Sequence, residues 1–437
     1  MLQRGNNTQP EHRTMKDHTY GGLLSRRNFL KRSSLIPLSG LLAQAPAIGA
    51  DARRATFQEQ VQAAIIGFGP QGRDIAATLT RIPEVDLAAV VDTYNVMLRR
   101  AQRSAPGAAT FEDYREVLDN PDISTVFIAT PTHLHKQIAL DALSAGKHVY
   151  VEAPMASNID DARVMAQAAR DNPNLIFQVG LHARSHPNYR SVFQFIRSGA
   201  LGKATMTRSQ WHTKESWRRA SPNREREIAL NWRLDAGVST GLIGEVGTHQ
   251  LDPALWFLSK RPAAVTGLGQ IMLWNDGRQV PDTIQAVFEL EDGGVPMLYD
   301  ATLTSSFDAA YDTYSGRDST IMFRDHRAWM FKEVDAPLLG WEVYARKDKF
   351  YKETGIALVA NATQLDAQDI SPTEDDPNLE TPLWYAIRDF IDNHAFGPYP
   401  PAASYEVGFQ MAVITIKANE AILQGTRIEY DDALFEI

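Results

Sequence analysis

The chain has 437 residues, with 44 Lys plus Arg against 53 Asp plus Glu, a formal net charge of −9, no cysteine and 44% hydrophobic residues. The acidic balance argues against a nucleic-acid partner or an anionic membrane surface, since both need concentrated positive charge. The absence of thiols excludes disulfides, thiolate nucleophiles and Cys-ligated metals, and the length and apolar content suffice for two cores.

In chain order the first signal is Ser25, Arg26, Arg27, Asn28, Phe29, Leu30 and Lys31, a twin-arginine stretch followed by a weakly apolar segment from Leu35 to Ala50. Residues 1–50 therefore read as a Tat export signal. The apolar part is shorter than the roughly 20 residues that span a bilayer. Cleavage between Ala45 and Ala52 is expected to leave a chain with no membrane span, delivered to the periplasm or otherwise exported by the Tat machinery. Removing the seven basic and two acidic residues of 1–50 moves the net charge from −9 to −14.

From Val61 the sequence VQAAIIGFGPQGRDIAATLTRIP sets a short apolar run against glycines and then a helical pattern of Ile75, Leu79 and Ile82. Gly67, Gly69 and Gly72 have the G-x-G-x-x-G spacing. The first glycine permits a tight turn, the second lets backbone approach a pyrophosphate, and the third lets helix pack closely on strand. Phe68 and Gln71 lie within the same loop, and the helix N-terminus offers N–H groups and a positive dipole end to phosphates. The next apolar run, VDLAAVVD, ends at Asp92, where such folds place an acid on the adenosine ribose diol. Asp92 favours NAD, while Arg99 and Arg100 leave NADP open. A third strand ends in Thr130, Pro131, Thr132 and His133, a helix follows, and HVYVE ends at Glu152 and Ala153. Strand and helix in alternation imply an α/β fold with a parallel sheet whose ligand lies at the strands' carboxyl ends. His133 and His135 read either as cofactor contacts or as loop and cap residues.

These residues carry a resemblance. With the glycine loop, TPTHLHKQIALDALSAGKHVYVEAP at 130–154 resembles the glucose-fructose oxidoreductase / inositol dehydrogenase family, Gfo/Idh/MocA. The likeness continues through VGLHARSHPNYRSVFQFIRSGALGK at 179–203, NWRLD at 231–235, GLIGEVGTHQLD at 241–252 and PDTIQAVFELEDG at 281–293. It implies a Rossmann domain over 58–180 and a C-terminal α/β domain over 181–437, with an open, mostly antiparallel sheet that carries the substrate site and often the contact of a homo-oligomer. It also implies a lysine after Glu152, beside the nicotinamide; this chain has Ala153 there, which puts the ordinary dehydrogenase mechanism in question.

The family's Asp-x-x-x-His constellation is represented by Glu245 and His249, with Asp252 three residues on. Spacings of three and four place side chains on one helical face, so His249 is the candidate base and Glu245 the residue that orients its ring. A metal held by Glu245, His249 and Asp252 is the weaker alternative, since no paired-histidine motif accompanies them. Arg184 and Tyr189 match family positions. Trp211, Trp217 and Trp232, interleaved with His212, Lys214, Arg218 and Arg233, suit stacking on a sugar ring and bonding its hydroxyls, or else form core with solvated charge. Beyond residue 300 the pattern alternates as strands do, 361–380 is a polar acidic stretch read as an exposed loop, and two amphipathic helices close the chain.

Three functions fit these residues. The first is an exported oxidoreductase with tightly held NAD or NADP acting on a sugar, cyclitol or glycoside hydroxyl. The second is a redox-neutral, NAD-dependent glycosidase that oxidises, eliminates, hydrates and re-reduces; the resemblance supports it through Thr248, His249, Leu251 and Pro253, which fit the Thr-His-x-Leu-x-Pro segment of such relatives. The third is a non-catalytic sugar-binding protein that keeps the fold.

Overall fold

The computed structural model describes residues 60–291, 294–344, 347–350, 353–358 and 379–437. The expected export segment lies outside these residues, as does nearly all of the acidic stretch read as a loop.

The short apolar runs of the first half become parallel strands β1 (Val61–Ile66), β2 (Val85–Val91), β3 (Ala109–Phe111), β4 (Thr125–Ile128), β5 (His148–Val151) and β6 (Phe177–Val179). They form one sheet in the order β3-β2-β1-β4-β5-β6. Ala63, Ala64, Ile65, Val126, Phe127, Ile128, Val149 and Val151 are all fully buried, because a parallel sheet with helices on both faces exposes neither side. The strand order reverses between β1 and β4, where an open α/β sheet leaves a crevice at its carboxyl edge. This is the expected Rossmann architecture.

The second half builds a larger sheet from β7 (Ala204–His212), β8 (Pro262–Gln270), β9 (Thr283–Leu290), β10 (Pro296–Thr302), β11 (Ala310–Gly316), β12 (Ser319–Arg324), β13 (Arg327–Lys332), β14 (Lys347–Phe350), β15 (Glu353–Leu358) and β16 (Ile428–Glu429). Their order is β14-β15-β13-β12-β11-β7-β10-β9-β8-β16, and β7 with β10 is the parallel pair in an otherwise antiparallel sheet. On β9, Ile284, Ala286, Phe288 and Leu290 are buried while Gln285 and Val287 are exposed, the period-two signature of a sheet covered on one face. The helices Thr248–Leu258 and Tyr405–Gln424 supply that cover.

The chain's end crosses the division expected at residue 180. Helix Pro382–Phe396 sets Phe390 against Phe127 and Tyr150 of the first sheet, with ring centroids 5.6 and 5.7 Å away. Arg388 on that helix bonds Glu84 at 2.8 Å and Asp392 at 2.6 Å, so a buried cation is met by two carboxylates as its desolvation requires. Helix Tyr405–Gln424 packs both on β8 and on helix Ile159–Asp171. The last two helices thus tie the two sheets together, where the sequence reading gave them to the C-terminal domain alone. Among the described residues no helix is long and apolar enough to cross a membrane.

Candidate active site

The glycine loop follows β1 as expected. Gly67 has φ +96°, and a β-carbon there would lie 2.7 Å from the Ala129 carbonyl oxygen; one at Gly72 would collide with the carbonyl of Gly67. At Gly69 it would meet nothing within 4 Å, which leaves the loop open in front of helix Pro70–Leu79. Pro70 opens that helix, where its missing N–H costs nothing. Asp92 accepts from the Phe68 N–H at 2.9 Å and the Tyr94 N–H at 2.8 Å. The carboxylate so fixed at the end of β2 retains lone pairs for a diol. The residues therefore fit a dinucleotide: backbone toward the pyrophosphate, Asp92 toward the adenosine ribose. Asp92→Ser is expected to weaken NAD about tenfold and to leave NADP unchanged or tighter, because a 2′-phosphate would no longer face a carboxylate; titration of each nucleotide by calorimetry checks this.

A cavity of about 560 Å³ opens beyond the loop, and Gln71, Thr130, Glu152, Ala153, His182, His249, Glu245, Asp252 and Arg233 are among the residues lining it. Glu152 directly follows β5 and is 7% exposed. It takes a hydrogen bond from Gln71 Nε2 at 2.9 Å and faces His182 Nε2 at 3.5 Å. Gly180 makes room for it, since a β-carbon there would strike the carboxylate. Burial opposes its charge, yet His182, Gln71 and His249 together hold the carboxyl below its usual range. The His182 and His249 rings lie 5.7 Å apart. Burial, with His182 adding to it against the pull of Glu152, lowers His249 to about 4, so its imidazole is neutral at pH 7 and able to accept a proton. The arrangement pairs an ionised carboxylate with two imidazoles beside Ala153.

The structure corrects the role given to Glu245. The helix Gly241–Glu245 ends there and a new one starts at Thr248, so Glu245 and His249 do not share a helical face. Glu245 accepts from Thr240 Oγ1 at 2.9 Å and Arg233 Nε at 3.3 Å; it fixes Arg233 on the cavity wall rather than orienting His249. Burial raises its carboxyl above the usual range although Arg233 and Thr240 pull it down. Asp252 takes a bidentate pair from Arg184, with Nε donating to Oδ2 at 3.0 Å and Nη2 to Oδ1 at 2.7 Å. Because Glu245 and Asp252 are each held by an arginine, the alternative of a metal shared with His249 is not supported.

Other expectations divide. Thr130 and His135 both line the cavity, and His135 is also a brace: its buried ring sits 3.0–3.3 Å from the carbonyls of Thr130, Pro154 and Met155. Pro131 precedes the turn Thr132–Leu134, and His133 stands edge-on to Trp232 at 5.8 Å. Neither His133 nor Pro131 lines the cavity, and neither Trp211 nor Trp232 does. Trp232 is 8% exposed beneath Arg233, and Trp211 packs on Trp217 at 6.4 Å; the expectation that they stack on a sugar is corrected to a packing role. His212 instead bonds Asp300 at 2.6 Å. His182, Gly180, Asp312 and His326 are not singled out by the sequence, since each is brought to the site by a strand or turn distant from His249, and Gln250, which directly follows His249, belongs to no spacing motif. The one usable signal for His182 was the position directly after a strand's carboxyl end, where such folds keep their ligands.

Residues 61–181 match the family model described as Gfo/Idh/MocA oxidoreductase family, NAD-binding Rossmann fold, and residues 189–323 match the Gfo/Idh/MocA C-terminal domain. Levoglucosan dehydrogenase of Pseudarthrobacter phenanthrenivorans is 33% identical over 149 residues, 34% of this chain and 36% of that protein. An α-N-acetylgalactosaminidase of Shewanella oneidensis is 27% identical over 232 residues, 45% of this chain and 50% of that enzyme. The chain thus spans about a third to a half of these relatives. Levoglucosan dehydrogenase solved with NADH and levoglucosan superposes with a TM-score of 0.68 at 20% identity, covering 85% of this chain and 99% of that one, a likeness of fold.

Proposed function

The chain belongs to the Gfo/Idh/MocA family of NAD-binding oxidoreductases, and we propose that it oxidises a hydroxyl of a sugar, cyclitol or glycoside with His249 as the base. The observation that carries this reading is the neutral imidazole of His249 on the wall of the cavity next to the glycine loop, within reach of the ionised Glu152 and of His182. Bound NAD would supply the hydride acceptor. The protein's part is to remove the hydroxyl proton, which His249 takes at a ring nitrogen while Glu152 stabilises the imidazolium that results. Arg233 and the Arg184–Asp252 pair present fixed polar groups for the remaining hydroxyls.

One observation favours the redox-neutral glycosidase as a second reading. Ala153 stands where the family lysine is expected, and the chain is similar over 232 residues to an α-N-acetylgalactosaminidase. In both readings the same His249 opens the chemistry; they differ in whether the reduced cofactor accumulates. We further propose Tat export of the folded protein with its cofactor already captured. Assembly as a homo-oligomer through the uncovered face of the larger sheet, where Met206, Val287 and Leu268 are exposed, belongs to the same reading.

Purification without added nucleotide, followed by denaturation, is expected to release NAD in near-stoichiometric amount, identified by mass and absorbance. Incubation with sugars, cyclitols and aryl glycosides then separates the readings. NADH that builds up in proportion to one substrate supports the oxidoreductase, and glycoside cleavage with no net NADH supports the second. A protein that is empty and binds neither nucleotide at millimolar concentration sinks both and leaves the non-catalytic sugar-binding reading.

A further inference from the structure

The cavity wall contributed by the larger sheet carries a carboxyl that the proposed proton transfer does not use. Asp312 on β11 lies directly across from Phe323 of β12 and Ser209 of β7, and Tyr299 of β10 continues the row beyond Ser209. Residues paired directly across strands project to one side, and here that side faces the helices. Asp312 is 5% exposed, lines the cavity, and has an Oδ1 with no hydrogen-bond partner among the described residues. Ser209 is its one polar cross-strand neighbour. The other buried carboxylates of the cavity differ: Glu152 faces His182, Asp252 holds Arg184, and Glu245 holds Arg233. Among the described residues Asp312 forms no ion pair.

A buried carboxyl without a counter-ion is costly, and burial pushes this one up to about 7. A ligand hydroxyl would relieve only the missing hydrogen bond. An ammonium would relieve that and the charge together. The surroundings suit a cation as well: Tyr189 and Phe323 line the cavity here with ring centroids 4.0 Å apart, and Tyr299 and Tyr314 lie buried beneath. Aromatic rings present negative faces to a positive group.

We propose that this end of the cavity binds a protonated amine on the substrate, with Asp312 as the carboxylate that accepts from it. The inference rests on the sugar or cyclitol reading above and narrows it to amino-substituted members. The specificity it predicts is for charge, so an N-acetylated amine is treated as the hydroxyl parent is.

Calorimetric titration of the NAD-loaded protein with glucosamine, galactosamine and an amino-inositol, against glucose, galactose and myo-inositol, tests it. At least one amine is expected to bind about tenfold or more tightly than its hydroxyl parent, with the N-acetyl forms aligned with the parents. Asp312→Asn, which keeps the shape and removes a buried ionisable group, is expected to erase the preference while the parents' affinities stay within a few-fold. The wild-type comparison needs no variant, so a failure of Asp312→Asn to fold leaves the test intact. If the hydroxyl parents bind as tightly as every amine, or if Asp312→Asn keeps the preference, the assignment is overturned and the sugar reading stands. If no sugar or cyclitol of either kind binds, the sugar reading falls and takes this one with it.

Discussion

His249→Ala is expected to lower kcat/KM for hydroxyl oxidation by about 10²- to 10⁴-fold, with NAD affinity changed by no more than a few-fold. The split follows from position. His249 lies in the first turn of helix Thr248–Leu258 and lines the cavity, whereas the pyrophosphate and ribose contacts fall to the glycine loop and Asp92. The helix itself is anchored by Leu251, Ala254, Leu255 and Phe257, all buried, so truncating the ring removes a proton acceptor and not a piece of core. The acid limb of the wild-type pH profile gives a second readout. The base acts in its neutral form, and burial first and His182 second lower it from the ordinary imidazole value of 6.5 to about 4. Activity should therefore hold as pH falls through 6.5 and decline only near 4. A limb at 6.5 would mean that the titrating base is an exposed imidazole, and an alanine variant within a few-fold of wild type would mean that the base lies elsewhere.

The first half of the molecule was legible because its signals are local. Gly67, Gly69, Gly72 and Asp92 occupy fixed offsets from the ends of β1 and β2, and the steric reasons for those glycines hold in the structure as they do in the sequence. The site beyond the loop was read less well, for two physical reasons. Side chains four apart face each other only along an unbroken helix, and Val246-Gly247 interrupts this one; Glu245 thus turns to Thr240 and Arg233. Partners supplied by distant segments leave no trace in spacing: His182 is 30 residues from Glu152, Arg184 is 68 from Asp252, and Asp312 reaches the cavity through the register of β11 on β7. The tryptophans misled because alternation of aromatic and cationic residues describes a packed strand end or turn as well as it describes a sugar platform. Trp211 and Trp232 found protein rings and an arginine to pack against.

Ala153→Lys is expected to raise single-substrate NADH formation by about 10²-fold or more. Ala153 follows the ionised Glu152 and lines the cavity, so a lysine there would extend into the space that His249 already borders. Its ammonium would gain Glu152 as a counter-charge, which limits the desolvation cost of a new buried cation, and its neutral form would offer a second acceptor for the substrate hydroxyl proton. The same substitution acts in the opposite sense on a redox-neutral cycle. There the site must hold a ketone through elimination and hydration, and a four-carbon stem with a charged end takes volume from a cavity of about 560 Å³ at the place where the ring must shift. Rising NADH yield with falling glycoside cleavage would identify Ala153 as the residue that turned a dehydrogenase site toward hydrolysis. Loss of both activities, with the cofactor still bound, would show that the cavity is shaped around the missing side chain.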